Sequence, residues 1–256
     1  MKNKVNIVIP MAGRGSRFAV DPVKYPDPKP LIPVHGKPMI QVVVENLTPN
    51  RDHRFIFICQ NDHIRDYKLD TFLPSLCQNP EDTVVIGIDG ITEGMACTVL
   101  EARKYIDNDE ALMIAGSDQW IDCDIDEYLD HLDNENADGM LMSMKATDPK
   151  WSYAKADEKG CVVETAEKNP ISDDATLGIY NYAKGTDYLA SVDEMIADNG
   201  KFGNEYYIAP AYNYLIKKGQ KIVLFCVGEE FNGLYGLGIP EDLEKFLEHP
   251  ISQRVK

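Results

Sequence analysis

Short apolar runs alternate with stretches of helical spacing through the first 145 residues, and this alternation limits the fold more than any other feature of the chain. The runs are Val5–Pro10 (VNIVIP), 54–59 (RFIFIC), 83–88 (TVVIGI), Ala111–Ala115 (ALMIA) and Gly139–Lys145 (GMLMSMK). Each is short, nearly continuous in apolar residues and bounded by polar or turn residues, the pattern of a strand buried on both faces. Between them, Met39–Leu47, 64–76, 94–106 and Ile125–Asn134 space their apolar residues three and four apart, as a helix with one face on a core does. This order predicts an α/β fold of Rossmann-like type: three α/β/α layers around a mostly parallel, mixed sheet.

The rhythm changes after Asp148. Segments 151–155 and 161–167 read as short strands around the turn Glu158-Lys159-Gly160, and 175–182 as a further strand. A helix follows at 187–198, then a helix at 206–218 broken or kinked near Pro210, a strand at 221–227 and a closing helix at 240–247. The expectation is one domain over 1–256, with a first half at 1–148, a lobe on the same sheet at 149–235 and a closing segment at 236–256.

With 42 acidic and 26 basic side chains, the formal charge is −16. Such a surface repels nucleic acid at long range, so no nucleic-acid partner is expected. An anionic ligand then has to be met by a local group of Lys, Arg and backbone N–H donors. The six cysteines include no C-x-x-C pair and the five histidines are scattered, so no zinc motif is present. No signal-like segment precedes the first strand, and no apolar run reaches the ~18 residues of a membrane span. A cytoplasmic protein with reduced thiols and no membrane partner is the expectation, and homo-oligomer formation stays open.

In open α/β sheets, ligands collect at the carboxyl ends of the strands. After the first strand the chain reads Pro10-Met11-Ala12-Gly13-Arg14-Gly15-Ser16-Arg17-Phe18. Gly13 and Gly15 allow backbone N–H groups to approach phosphate oxygens, and Arg17 adds a permanently charged donor fork. Phe18 stands where the dinucleotide fingerprint needs its third glycine, and no P-loop run occurs. A tight turn with a surface arginine has the same local sequence, so the next segment matters. Six prolines fall between Asp21 and Pro38, which excludes a regular helix and predicts an ordered, extended loop. Lys29, between Pro28 and Pro30, has little backbone freedom, so its ammonium is delivered to one place, as stabilising a transferring phosphate requires.

The segment Ala12-Gly13-x-Gly15-x-Arg17-Phe18, followed by Pro28-Lys29-Pro30-Leu31-Ile32-Pro33-Val34-x-Gly36-Lys37-Pro38-Met39-Ile40, resembles the opening of the sugar-phosphate nucleotidyltransferases. That family includes glucose-1-phosphate thymidylyl-, uridylyl- and cytidylyltransferases. The resemblance implies a nucleotide-diphospho-sugar transferase (GT-A-like) sheet. It also implies that Gly13 and Gly15 cradle a nucleoside triphosphate while Arg17 and Lys29 act as the catalytic charges.

Later segments follow in the family's order. Gly94-Met95-Ala96-Cys97-Thr98 resembles the helix start against the base and ribose, with Ala12 and Asp89 as further nucleotide contacts. Ser117-Asp118 resembles a Gly-Asp position and implies that Asp118 binds Mg²⁺. Glu167-Lys168, separated from Pro170 by Asn169, resembles a Glu-Lys-Pro segment that contacts the acceptor. Asn204-Glu205-Tyr206-Tyr207 resembles a Gly-Glu-Tyr segment whose glutamate bonds acceptor hydroxyls. Many members carry a second metal-binding aspartate where this chain has Gly236. Asp118 with phosphate oxygens alone would then hold the metal, or Glu229 or Glu230 would complete the site.

The implied activity is Mg²⁺-dependent transfer of a nucleoside monophosphate from dTTP, CTP, UTP or GTP to a sugar 1-phosphate or similar small phosphorylated acceptor. Pyrophosphate would be released, and the product would supply surface-polysaccharide synthesis. Two alternatives remain. One is a glycosyltransferase of similar fold, for which Asp122-Cys123-Asp124 offers an Asp-x-Asp motif. The other is a non-catalytic nucleotide-binding module.

Overall fold

Val5, Ile7, Val8 and Ile9 have no solvent exposure, so the first strand, β1 (Val5–Pro10), carries a core on each face. The structure is a computed structural model and describes residues 4–256. β1 is central in a large sheet whose order is β5 (Val84–Ile88), β4 (His53–Gln60), β1, β6 (Ala111–Ala115), β11 (Asp174–Tyr182), β8 (Gly139–Lys145), β12 (Ile222–Glu230), β13 (Gly233–Gly236) and β7 (Gln119–Ile121). Beside β11, β9 (Ser152–Ala156) pairs with β10 (Val162–Glu167). The pairs β5–β4, β4–β1, β1–β6, β8–β12 and β12–β13 are parallel. β11 runs against both β6 and β8, β7 against β13, and β10 against β9, which makes the sheet mixed as expected.

Helices cover both faces. On one, α1 (Met39–Leu47), α3 (Leu69–Ser75) and α6 (Ile125–Asn134) pack their apolar stripes on Ile7, Ile9, Phe55 and Phe57. On the other, α4 (Met95–Leu100), α5 (Arg103–Ile106), α7 (Gly185–Ala197) and α8 (Ile208–Lys217) join one core cluster with Val8, Ile56 and Ile114. A third cluster lies at one end. There Phe18, Ile32, Val34 and Met39 from the start of the chain meet Trp120, Tyr235 and the last helix, α9 (Pro240–Glu248), through Leu243 and Phe246. No helix of the described residues is long and apolar enough to cross a membrane, and all six cysteines are free.

Some expected elements differ. The helix expected at 64–76 is two, α2 (Asn61–Tyr67) and α3, because Lys68 between them is left-handed at φ +52°. The helix expected at 94–106 is also two, α4 and α5, separated by Glu101 and Ala102. The helix expected at 206–218 starts only at Ile208 and is unbroken. Pro210 falls in its first turn, where the missing N–H has no partner to lose. The proline-rich stretch is more regular than an extended loop. It contains a 3₁₀ turn (Lys29–Leu31) and a tight hairpin of β2 (Pro33–Val34) and β3 (Lys37–Pro38), turned by His35 and Gly36, both at positive φ.

Candidate active site

The carboxyl ends of β1, β5 and β6 open into one cleft of about 650 Å³. Ala12 and Gly13 line it from the loop after β1, Gly94 from the start of α4, and Asp118 from the turn after β6. Thr98 of the Gly94–Thr98 segment also faces it, as do Arg14, Ser16 and Thr92, which the sequence does not single out as ligand contacts.

Lys29 reaches the cleft because its backbone is fixed on both sides. Pro28 precedes the 3₁₀ turn, Leu31 N–H donates to the Pro28 carbonyl at 2.8 Å, and buried Ile32 anchors the exit. Gly15, at φ +59°, lies against this side chain, since a Cβ there would stand 3.2 Å from the Lys29 Cβ. The second glycine of the loop thus allows lysine and loop to meet.

The Lys29 ammonium donates to the Asp118 carboxylate at 2.8 Å, with 24% and 30% of the two side chains exposed. Burial pushes the Asp118 carboxyl up. Lys29 beside it, and Arg17 at longer range, outweigh that and hold it below the usual carboxylate value. Asp118 is seated on backbone: a Cβ at Gly238 would lie 2.4 Å from its Oδ2, and Leu237 N–H donates to its carbonyl at 2.8 Å. Arg17 stays exposed and acts on Asp118 only through space.

Gly94 is required where it stands. Its φ is +109°, and a Cβ would lie 2.6 Å from Tyr206 O and 2.7 Å from Tyr206 N. Ala96 N–H donates to Tyr206 O at 3.2 Å and Tyr206 N–H to Glu93 O at 2.7 Å, so the start of α4 is stitched to segment 205–206. This places Glu205 on the wall of the same cleft, so the residue expected to touch the acceptor shares it with Ala12, Gly13 and Gly94, expected to touch the nucleotide. Asp89 is exposed past the end of β5 and is not among the residues that line the cleft, whereas Ile88 before it is.

Glu167 and Lys168 sit at the end of β10, outside the cleft lining. Glu167 is buried and accepts from the Ser152 hydroxyl, and burial raises its carboxyl above the usual value. Lys168 donates to the Tyr207 hydroxyl at 3.2 Å and lies over the Tyr207 and Phe202 rings at 5.2 and 5.6 Å.

Among the described residues, no group of three or more His, Cys, Asp or Glu side chains gathers where a metal could sit. Asp118 and Glu205 are the carboxylates among the described residues that line the cleft, and Asp118 is the one paired with Lys29. Mg²⁺ commonly takes one or two carboxylates and fills its octahedron with phosphate oxygens and water, so this donor set fits it. Two glutamates are candidates for Gly236's missing carboxylate. Glu230 is paired with Lys150 at 2.9 Å, and Glu229 is exposed on β12. The carboxyl group nearest the room beside Gly236 belongs to Asp242, whose Oδ2 would lie 3.4 Å from a Cβ there. The Asp-x-Asp pair is also engaged elsewhere: Asp122 with Arg254, and Asp124 as the cap of α6, accepting from Asp126 N–H at 2.9 Å.

The family model for nucleotidyl transferases matches residues 7–220. The bifunctional protein GlmU of Methanocaldococcus jannaschii is 26% identical over 98% of this chain and 56% of its own length. That of Caldicellulosiruptor saccharolyticus is 24% identical over 94% and 52%. The chain thus spans about half the length of the curated relatives it matches. Among solved structures, a nucleoside-diphosphate-sugar pyrophosphorylase from Vibrio cholerae superposes with a TM-score of 0.77 at 26% identity, over 95% of this chain and 100% of that one. An inositol-1-phosphate CTP transferase from T. maritima shares the fold at a TM-score of 0.73 and 14% identity, over 98% and 96%. The glycine loop, the proline-held lysine and the aspartate after β6 lie within the matched span, and the chain belongs to the nucleotidyl transferase family.

Proposed function

We propose that this chain is a Mg²⁺-dependent nucleotidyltransferase. It would move a nucleoside monophosphate from dTTP, CTP, UTP or GTP to a sugar 1-phosphate or a similar small phosphorylated acceptor and release pyrophosphate. The observation that carries this reading is the Lys29–Asp118 pair, 2.8 Å apart beside the glycine loop. A fixed cation and a carboxylate able to hold a metal are the charges needed for in-line attack on an α-phosphorus.

An acceptor phosphate is ionised at neutral pH, so its oxygen needs no general base, and catalysis reduces to positioning and charge neutralisation. Gly13 and Gly15 leave N–H groups free to approach the triphosphate. Lys29 leaves Asp118 to meet the phosphate charge, and Arg17 adds long-range positive potential. Asp118 would hold Mg²⁺, which supplies charge neutralisation at the phosphate oxygens when bound. Glu205, Glu167 and Lys168 would receive the acceptor, the carboxylates taking hydroxyls and the ammonium the phosphate. The reading places the reaction in the cytoplasm, where triphosphates are made, with the product feeding surface-polysaccharide assembly.

The test is a matrix of the four triphosphates against hexose 1-phosphates and alditol phosphates, read by pyrophosphate release. One pair should turn over with Mg²⁺ and stop with EDTA. Absence of pyrophosphate from every pair, or consumption of a nucleotide sugar instead, overturns the reading.

A further inference from the structure

Resting on that reading, we propose that Gln60 is a positioning residue for the triphosphate, fixing two peptide groups so that their N–H donors face the ligand. Gln60 ends β4, between β1 and β5, at the carboxyl edge where the cleft opens. Its side-chain nitrogen donates to the Ala12 carbonyl at 2.6 Å and to the Gly90 carbonyl at 2.7 Å. A carboxamide nitrogen carries two hydrogens, and both are used here. Two carbonyls also leave only one way round for the amide, since its own oxygen would be repelled by them.

A trans peptide is planar, with its N–H pointing opposite to its C=O. Holding the Ala12 and Gly90 carbonyls toward Gln60 therefore turns the N–H groups of Gly13 and Ile91 away from it. Gly13 and Ile91 both line the cleft. Among the described residues neither N–H donates to the chain itself. Gly13 and Gly90 have nothing within 4 Å of where a Cβ would be, and Gly90 sits at φ +76°, where glycine turns freely. A flipped peptide would show an anionic ligand a carbonyl oxygen instead of a donor. The Gln60 amide thus ties the loop after β1 to the loop after β5 and sets the sign of both.

Two variants separate hydrogen bonding from shape. Gln60→Met keeps the volume and loses both donors without adding charge. Gln60→Glu keeps the shape and places oxygen against the two carbonyls. Calorimetry with UTP, CTP, dTTP and GTP, each with Mg²⁺, should show the tightest of these weakened on the order of tenfold in Gln60→Met, from two lost hydrogen bonds. Gln60→Glu should be weakened further, while the acceptor KM and the melting temperature stay near wild type. Wild-type affinity in either variant overturns the inference and leaves the proposed activity standing. Failure of the wild-type protein to bind any of the four removes the reading itself and the inference with it. A measurement on unaltered protein guards against misfolded variants: the Gly13 and Ile91 amide resonances should shift when the triphosphate is added, and unshifted resonances overturn the proposal.

Discussion

Lys29 and Asp118 satisfy each other, so neither half-buried charge is left unpaired. Their roles separate by substitution. Lys29→Met should lower kcat on the order of 10²–10³-fold, as loss of a fixed charge stabiliser does, with the acceptor KM little changed in pyrophosphate-release assays. Arg17→Ala, at an exposed position acting through space, should cost a smaller factor. Glu167 gives a pH signature. Burial raises its carboxyl, so the folded chain holds that proton more tightly than the unfolded one, and stability falls as pH rises from the usual carboxylate range through the raised value. Gln at 167 does not titrate. Glu167→Gln should therefore match wild type in acid and exceed its melting temperature near neutral pH, while weakening the acceptor KM. Lys29 could be singled out from its proline-held setting, and Asp118 and Gly94 through the family resemblance, because each lies in a short motif. Gln60 could not. Its neighbours Ala12 and Gly90 are distant in sequence and meet it only when β4 pairs between β1 and β5.

At the scale of elements, the sequence marked the strands well because β1, β4, β6 and β8 are apolar over nearly their whole lengths. β7 and β13 went unmarked: runs of three and four residues are too short to show a period, and their pairing is settled by tertiary contacts. The breaks at Lys68 and at Glu101–Ala102 were hidden for the opposite reason, since the apolar spacing continues through them. The start of α4 shows what an element boundary can control. Gly94→Ala meets both the positive φ and the Tyr206 backbone, so strain of about 1–3 kcal/mol or more should appear in urea unfolding. Calorimetry should show triphosphate affinity lost in the same variant, because the start of α4 and the Glu205 wall move together.

Over the whole molecule, the site depends on a core shared between the two ends of the chain. Phe246, fully buried, packs its ring 5.6 Å from Tyr235 and 6.0 Å from Trp120 in the cluster that also holds Phe18, Ile32 and Val34. Lys24 and Tyr25 join the proline-rich loop to Glu244 of α9 from outside. Phe246→Ala should cost about 3–5 kcal/mol in unfolding free energy. It should also lower kcat/KM at temperatures where the bulk protein remains folded, since the cavity opens under the segment that carries Lys29. The same arrangement sets an order in time. A ribosome releases the glycine loop and Lys29 long before Phe246, so the lysine's supporting core cannot close until α9 has emerged. Throughout that interval Phe18, Ile32 and Val34 lack the helix that covers them, and a nascent chain stalled before residue 240 would carry Lys29 on an uncovered apolar face.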